Sequence, residues 1–408
     1  MKTSLQIEVP EALIRAVLSQ EPVEESPHNL YKYPARFSPH FAREAIKAFT
    51  APGETVVDPF CGGGTSIVEA VALGRRAVGL DISSLATFLT RAKTMPLSIH
   101  DKRQICKWAE RIQLIDSKGP SIREAALTSG DRYYHRNLPR TPKAFFCAVL
   151  NCVPALAKPK QRNFVRLILL AVGQWALDCK IRTSSWNDLR TQFLRQLQTA
   201  LDGQYSYLTR AAEVNNLPRC RLIQMRRVVN RSSEDSDLDQ RLPAHWLPAK
   251  LIITSPPYPG VHVIYHRWQI HGRKETPVPF WLANSRDGAG ERFYCLGRRD
   301  ETNLVTYFSR LQRAFEAVSR LADEDSLIIQ LVAFSDPTWQ LPEYLKRMHQ
   351  AGYVEARPIC NNNYLHRGRI WRQVPGRKWY ANHKGETASS KEVLLLHKVR
   401  KQSEAISV

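Results

Sequence analysis

Long apolar runs are missing from this sequence. None of its 408 residues sits in a stretch approaching the ~20 apolar residues that span a bilayer, so a membrane-crossing helix is excluded. Met1 to Pro10 is polar and lacks the apolar centre of a signal peptide, and a cytoplasmic protein is expected. The eight cysteines never form a Cys-x-x-Cys pair. Cys147 and Cys152 lie in an apolar helical stretch and read as buried core thiols, so a reduced protein with no structural metal is expected. Acids are scarce: 38 Asp and Glu stand against 59 Lys and Arg, a formal net charge of +21. The simplest partner for that excess is a polyanion, usually nucleic acid. A membrane surface fits less well, because neither terminus carries a long amphipathic basic helix. Charge alone says nothing of sequence specificity.

What is present begins with Thr254-Ser255-Pro256-Pro257-Tyr258. The apolar run Leu251-Ile252-Ile253 before it reads as a buried strand. Two consecutive prolines fix two φ angles and remove two backbone donors. The chain therefore leaves the strand end rigid, with carbonyls that no sheet neighbour fully uses. A hydroxyl before the turn and a ring after it suit a planar amine, such as a nucleobase bearing an exocyclic NH2.

Upstream, Thr55-Val56-Val57-Asp58 reads as a strand, Pro59-Phe60-Cys61-Gly62-Gly63-Gly64 as a loop, and Thr65 to Leu73 as a helix ending at Gly74. Arg76 to Asp81 is a second strand with an acid at its carboxyl end, and Ser84 to Lys93 a helix. This is the first half of a nucleotide-binding α/β sheet, in which glycines admit a close ligand and the terminal acid holds a ribose diol. A helix from Glu11 to Ser19 precedes it, and Ser38 is placed to cap a helix from Pro39 to Phe49.

Residues 95–225 lack strand signals. Lys143 to Leu156, Asn163 to Leu177 and Asp188 to Ala212 have helical periodicity, with Leu189, Phe193, Leu197 and Leu201 on one face. Trp175 and Trp186 read as core. Arg221 to Val229 is expected as a third strand and Leu251 to Thr254 as a fourth, with an acidic turn from Ser232 to Asp239 between them. Residues 272–300 read as polar loop. Asn303 to Leu321 and Pro342 to Gln350 read as helices, and Ser326 to Phe334 as a strand. Tyr353 to Ile359 and Glu392 to Val399 read as an antiparallel pair. Between that pair, Asn361 to Gly385 carries Arg367, Arg369, Arg372, Arg377, Lys378 and Lys384 with no acid, interleaved with Trp371, Trp379 and Tyr380. Cations among aromatics suit a phosphate backbone and splayed bases. Arg267, in the aromatic and cationic stretch from Val261 to Trp268, is a further candidate.

Together these segments resemble the DNA amino-methyltransferase family, which uses S-adenosyl-L-methionine. Asp58-Pro59-Phe60-Cys61-Gly62-Gly63-Gly64-Thr65 resembles its cofactor loop, with Gly63 for the usual serine and Ser66 for a second threonine. Tyr33-Pro34-Ala35-Arg36-Phe37 resembles the segment near the methionine end of the cofactor. Asp81 matches the acid on the ribose hydroxyls. Thr254 to Tyr258 resembles the catalytic motif in the serine form, met mostly in enzymes acting on the cytosine amine. The order, cofactor loop first and an insertion before the catalytic segment, resembles that of adenine enzymes.

The resemblance implies an α/β fold: a Rossmann-like methyltransferase sheet, mostly parallel with one antiparallel strand, carrying a large helical insertion. Residues 1–95 would hold the cofactor half, 96–220 the insertion and a region that could recognise the target, and 221–408 the catalytic half with the basic loop 361–385. It further implies cofactor binding by Tyr33, Pro34, Ala35, Phe37, Asp58, Pro59, Phe60, Cys61, Gly62, Gly64, Thr65 and Asp81. Catalysis would fall to Ser255, Pro256, Pro257 and Tyr258, and double-stranded DNA to Arg267, Arg367, Arg369, Arg372, Arg377 and Lys378. A cognate restriction endonuclease or defence-system component is the further partner implied.

An exocyclic amine is a poor nucleophile because its lone pair is delocalised into the ring. Ser255 Oγ and the Pro256 carbonyl would accept its two hydrogens and draw the nitrogen toward tetrahedral geometry, while Tyr258 would stack on a flipped base. The expected product is N4-methylcytosine. N6-methyladenine, RNA amine methylation and a catalytically inactive nucleic-acid-binding protein stay open as alternatives. Methylation at cytosine C5 is disfavoured, because no Pro-Cys dipeptide occurs, and nicotinamide chemistry because Gly-x-Gly-x-x-Gly spacing is absent.

Overall fold

A computed structural model describes residues 5–34, 36–115, 133–261, 267–271, 274–285, 294–373 and 391–400. The chain opens with β1 (Gln6–Glu8) and α1 (Glu11–Leu18). In α2 (Pro39–Phe49), Pro39 takes the first position and Ser38 Oγ accepts the His40 N–H at 3.2 Å, satisfying one donor that a helix start leaves open. There follow β2 (Thr55–Asp58), α3 (Thr65–Ala72), β3 (Arg76–Asp81) and α4 (Ser84–Lys93), in the expected alternation. The insertion holds α5 (Ile99–Gln113), α6 (Arg140–Cys152), α7 (Pro159–Leu177) and α8 (Trp186–Asn215). Leu189, Phe193, Leu197 and Leu201 are buried, as the periodicity requires. Trp175 is not core. It lies in the last two turns of α7 and is 39% exposed.

The third strand, β4 (Arg226–Asn230), starts later than expected because Arg219–Met225 forms 3-10 turns after Pro218. Next come β5 (Leu251–Thr254), the hairpin β6 (Trp268–Ile270) and β7 (Lys274–Thr276), α9 (Val278–Ala283) and α10 (Val305–Ser319). The hairpin and α9 replace part of the expected polar loop. β8 (Leu327–Ala333) precedes α11 (Pro337–Gln350), which starts before Pro342 because Asp336 caps it through the Thr338 N–H. The chain closes with β9 (Tyr353–Ile359), β10 (Leu365–His366), β11 (Arg369–Gln373) and β12 (Lys391–Val399).

The sheet runs β1-β9-β12-β8-β5-β2-β3-β4. Along this path only β12 is reversed, against both β8 and β9. Off the path, β11 pairs antiparallel with β12 and β10 antiparallel with β11. The path itself is the expected Rossmann-like methyltransferase sheet, mostly parallel with β12 antiparallel. The central strands β2 and β5 are buried on both faces, which is why they read as continuous apolar runs. One face packs on α1, α2 and α3, the other on α10 and α11. α4, α6, α7 and α8 share a third core with Tyr31, Tyr33 and Trp268. α8 is tied down by Tyr207 Oη donating to the Val68 carbonyl (3.2 Å) and Gln204 Nε2 to the Lys93 carbonyl (2.8 Å). No helix among the described residues is long and apolar enough to cross a membrane.

Candidate active site

β2, β3 and β5 are parallel neighbours, so their carboxyl ends, Asp58, Asp81 and Thr254, meet at one edge of the sheet. Ligands of open α/β sheets bind outside that edge. Here it opens into a pocket. The expected residues Tyr33, Pro34, Phe37, Asp58, Phe60, Cys61, Gly62, Thr65, Asp81, Ser255 and Pro257 line it. Pro59, Gly64, Pro256 and Tyr258 are not on its wall, and Ala35 lies outside the described residues.

The two halves of the site are joined directly. Asp58, at the end of β2, accepts the Thr254 hydroxyl at 2.8 Å, the Ser66 hydroxyl, and the Phe60 N–H at 3.1 Å. Thr254 is the residue before Ser255. Burial pushes the Asp58 carboxyl up to about 7 against these three donors, and the nearby Asp81 adds to the rise. Asp58 therefore holds the strand ends together.

The glycine loop is shaped by Tyr33. A Cβ on Gly63 would stand 2.8 Å from Tyr33 Cβ, and one on Gly64, at φ +80°, only 2.6 Å from Thr90. At Gly63 the contact alone disfavours a side chain, and at Gly64 contact and backbone conformation act together. Asp81 accepts the Gly62 N–H and the Ser83 N–H, each at 2.8 Å, which orients its carboxylate at the pocket wall. Beneath the loop Lys93, fully buried, donates to the Gly63 and Tyr31 carbonyls at 3.1 and 3.4 Å. Burial pushes its ammonium down to about 7, and Arg36 lowers it further. Arg36 lines the pocket and donates to the His28 carbonyl at 2.7 Å. Burial pushes the Cys61 thiol up, and Asp81 and Asp58 add to that, so Cys61 is an apolar wall.

Sequence reasoning missed Arg36, Ser232, Ser233, Glu234, Tyr294 and Leu296 on the wall. Ser232 to Glu234 follows β4, so the third strand was the signal for it: its carboxyl end faces the same edge. Ser233 Oγ donates to the Pro59 carbonyl and ties that turn to the cofactor loop.

Several expected roles are corrected. Tyr258 is not placed to stack on a base. It is 5% exposed in the core beneath α10 and α11, with its hydroxyl 2.6 Å from Glu392 and 2.7 Å from Ser255 Oγ. The Pro257 carbonyl is engaged by the Tyr307 hydroxyl at 2.6 Å. Arg369 and Arg372 are not available to DNA. Arg369 makes a two-armed pair with Glu355 (2.7 and 2.9 Å), and Arg372 is buried against Glu392 at 2.7 Å. Their segment has no acid of its own, but β9 and β12 supply one each. Arg267 pairs with Glu275 at 2.8 Å. Arg367 is exposed; Arg377 and Lys378 lie outside the described residues.

Residues 12–87 match the model of the N6_N4_Mtase family, described as DNA methylase. That span contains Tyr33 to Phe37, the glycine loop and Asp81, and bears out the resemblance to DNA methyltransferases; the segment Thr254 to Tyr258 lies outside it. The chain is 37% identical over 76 residues to the type II methyltransferase M.MvaI of Kocuria varians, and 26% over 89 residues to M.MjaII of Methanocaldococcus jannaschii. These alignments cover 18% and 22% of this chain and 17% of each relative. Among solved structures, the rRNA methyltransferase aviRa of Streptomyces viridochromogenes aligns over 92% of this chain and 94% of its own. Its identity is 10% and its TM-score 0.31. The cofactor implied by the family match is S-adenosylmethionine. The residues fit it: a close-packed glycine loop, an oriented carboxylate at the end of β3 and a pocket that reaches Ser255.

Proposed function

We propose that this protein is a DNA methyltransferase that methylates the N4 amine of cytosine in double-stranded DNA. The observation that carries this reading is the 2.8 Å bond from Thr254 to Asp58. It fixes the Ser-Pro-Pro-Tyr turn beside the cofactor loop, with Ser255 and the loop on one pocket wall. The family match supports amine methylation on DNA, and the serine form of the motif supports cytosine.

When bound, S-adenosylmethionine supplies an electrophilic methyl group. Asp81 and the glycine loop would hold its nucleoside end, and Tyr33, Pro34 and Phe37 would enclose the other. Ser255 would accept a hydrogen from the target amine. Its own proton has two acceptors in reach, the Leu331 carbonyl at 2.8 Å and Tyr258 Oη at 2.7 Å. Both acceptors belong to buried residues off the pocket wall, so the proton points inward and lone pairs are left toward the pocket. Positioning of the amine supplies much of the acceleration, and a duplex base must be flipped out to reach Ser255.

Phosphate contacts fit cations that the fold leaves unpaired. Lys180, Arg182 and Lys274 are exposed and form no ion pair among the described residues. They flank the seam where α7 meets the β6–β7 hairpin, joined by the His271 N–H donating to the Lys180 carbonyl at 3.0 Å. A modification enzyme of this kind would accompany a cognate restriction endonuclease or another defence component.

Incubation with labelled S-adenosylmethionine and unmethylated duplex DNA, followed by nucleoside analysis, tests the reading. N4-methyldeoxycytidine is the expected product. N6-methyldeoxyadenosine would reassign the base, and label confined to RNA would overturn the DNA substrate.

A further inference from the structure

The buried pair Arg372–Glu392 stands directly across β11 and β12. Arg372 Nε donates to Glu392 Oε2 at 2.8 Å, and Arg372 Nη1 to the Val17 carbonyl at 3.3 Å. The other carboxylate oxygen, Oε1, accepts the Tyr258 hydroxyl at 2.6 Å. Tyr258 Oη lies 2.7 Å from Ser255 Oγ, and the Leu331 carbonyl, at 2.8 Å, is the other acceptor within reach of the Ser255 proton. One connected line thus runs from α1 across β11 and β12 to the hydroxyl on the pocket wall. Arg372, Glu392 and Tyr258 are all buried.

A buried ion pair is a poor device for stability, because desolvating two charges offsets their attraction, and apolar residues of similar volume often serve as well. Its worth lies in fixing geometry. An ion-paired carboxylate only accepts, so the single Tyr258 proton is committed to Glu392. Tyr258 Oη is then left as an acceptor facing Ser255. Among the described residues no other side-chain donor faces Ser255 Oγ from its buried side, and its one proton is drawn inward.

Resting on the methyltransferase reading, we propose that Tyr258 is a positioning residue. Anchored by Glu392 and Arg372, it fixes the Ser255 rotamer and the direction of its hydroxyl proton, and so leaves the oxygen open to the incoming amine. The ring fills the core.

The test is single-turnover transfer of a labelled methyl group from S-adenosylmethionine to long unmethylated duplex DNA of mixed sequence, using the full chain. Tyr258→Phe keeps the ring and removes the hydroxyl. The expected result is a rate at least tenfold lower, with affinities for S-adenosylhomocysteine and DNA within twofold of wild type. The paired replacement of Arg372→Met with Glu392→Leu keeps the core filled and removes the anchor. It is expected to lose rate to the same degree while binding S-adenosylhomocysteine normally. A Tyr258→Phe protein at the wild-type rate would overturn the inference, whether or not the paired variant folds. So would a folded paired variant at that rate. A wild-type protein that methylates no DNA would remove the parent reading and this inference with it. An active wild type with an indifferent Tyr258→Phe removes this inference alone.

Discussion

Replacing Asp58 by asparagine should abolish a pH dependence of stability that wild type shows between about pH 4 and 7. The Asp58 carboxyl is pushed from 3.8 up to about 7, chiefly by burial. Between those values the folded chain keeps a proton that the unfolded chain has released. Stability from this group is therefore fully present below pH 3.8 and is lost as pH rises toward 7. At about 1.36 kcal/mol per pH unit, the change is about 4 kcal/mol, an upper bound for a buried group that hydrogen bonds also hold. Asparagine has nearly the same shape and does not titrate. Urea unfolding of both proteins from pH 4.5 to 8 gives the difference directly. Asparagine should gain on wild type up to about pH 7 and hold that gain above it. Lys93 titrates with the opposite sign. Its ammonium is pushed from 10.5 down to about 7, so stability rises with pH in that interval, and it cancels in the comparison. A difference that stays flat with pH would show that Asp58 is ionised throughout and would refute the reasoning.

Three further outcomes are expected. Ser255→Ala should lower methyl transfer roughly a hundredfold with S-adenosylhomocysteine affinity unchanged by calorimetry. Arg372→Ala strands Glu392 in the core and should cost about 3–5 kcal/mol in urea unfolding, while the salt dependence of DNA binding by the folded fraction stays as in wild type. Neutralising Lys180, Arg182 and Lys274 together should reduce the slope of log K against log salt by about 2 to 3, measured by fluorescence anisotropy on duplex DNA.

Features set by a few neighbouring residues were legible in the sequence. Ser38 before Pro39 marks a helix start, and the run Thr55 to Asp58 followed by glycines marks a buried parallel strand with a ligand loop. Even the antiparallel strand β12 could be read, because Glu392 to Val399 forms an apolar block. What escaped depends on residues brought together from far along the chain. Arg369 and Arg372 look like a free basic patch until β9 and β12 arrive with Glu355 and Glu392. Tyr258 looks like a stacking ring until β12 offers its hydroxyl an acceptor. Arg221 to Met225 has strand-forming residues, yet Pro218 and the packing of Leu222 coil it. Lys93 ends an ordinary amphipathic helix, and nothing in that helix shows that its ammonium sits under the glycine loop.

The central claim is that two distant segments form one pocket with the methyl donor against Asp81 and the target amine against Ser255. A crystal structure with S-adenosylhomocysteine tests it most directly. The account predicts the ribose on Asp81, the adenosyl group against the glycine loop, and the sulfur turned toward Ser255. A ligand bound away from the carboxyl edge of β2 and β3, or with its sulfur facing away from the Ser-Pro-Pro-Tyr turn, would contradict it.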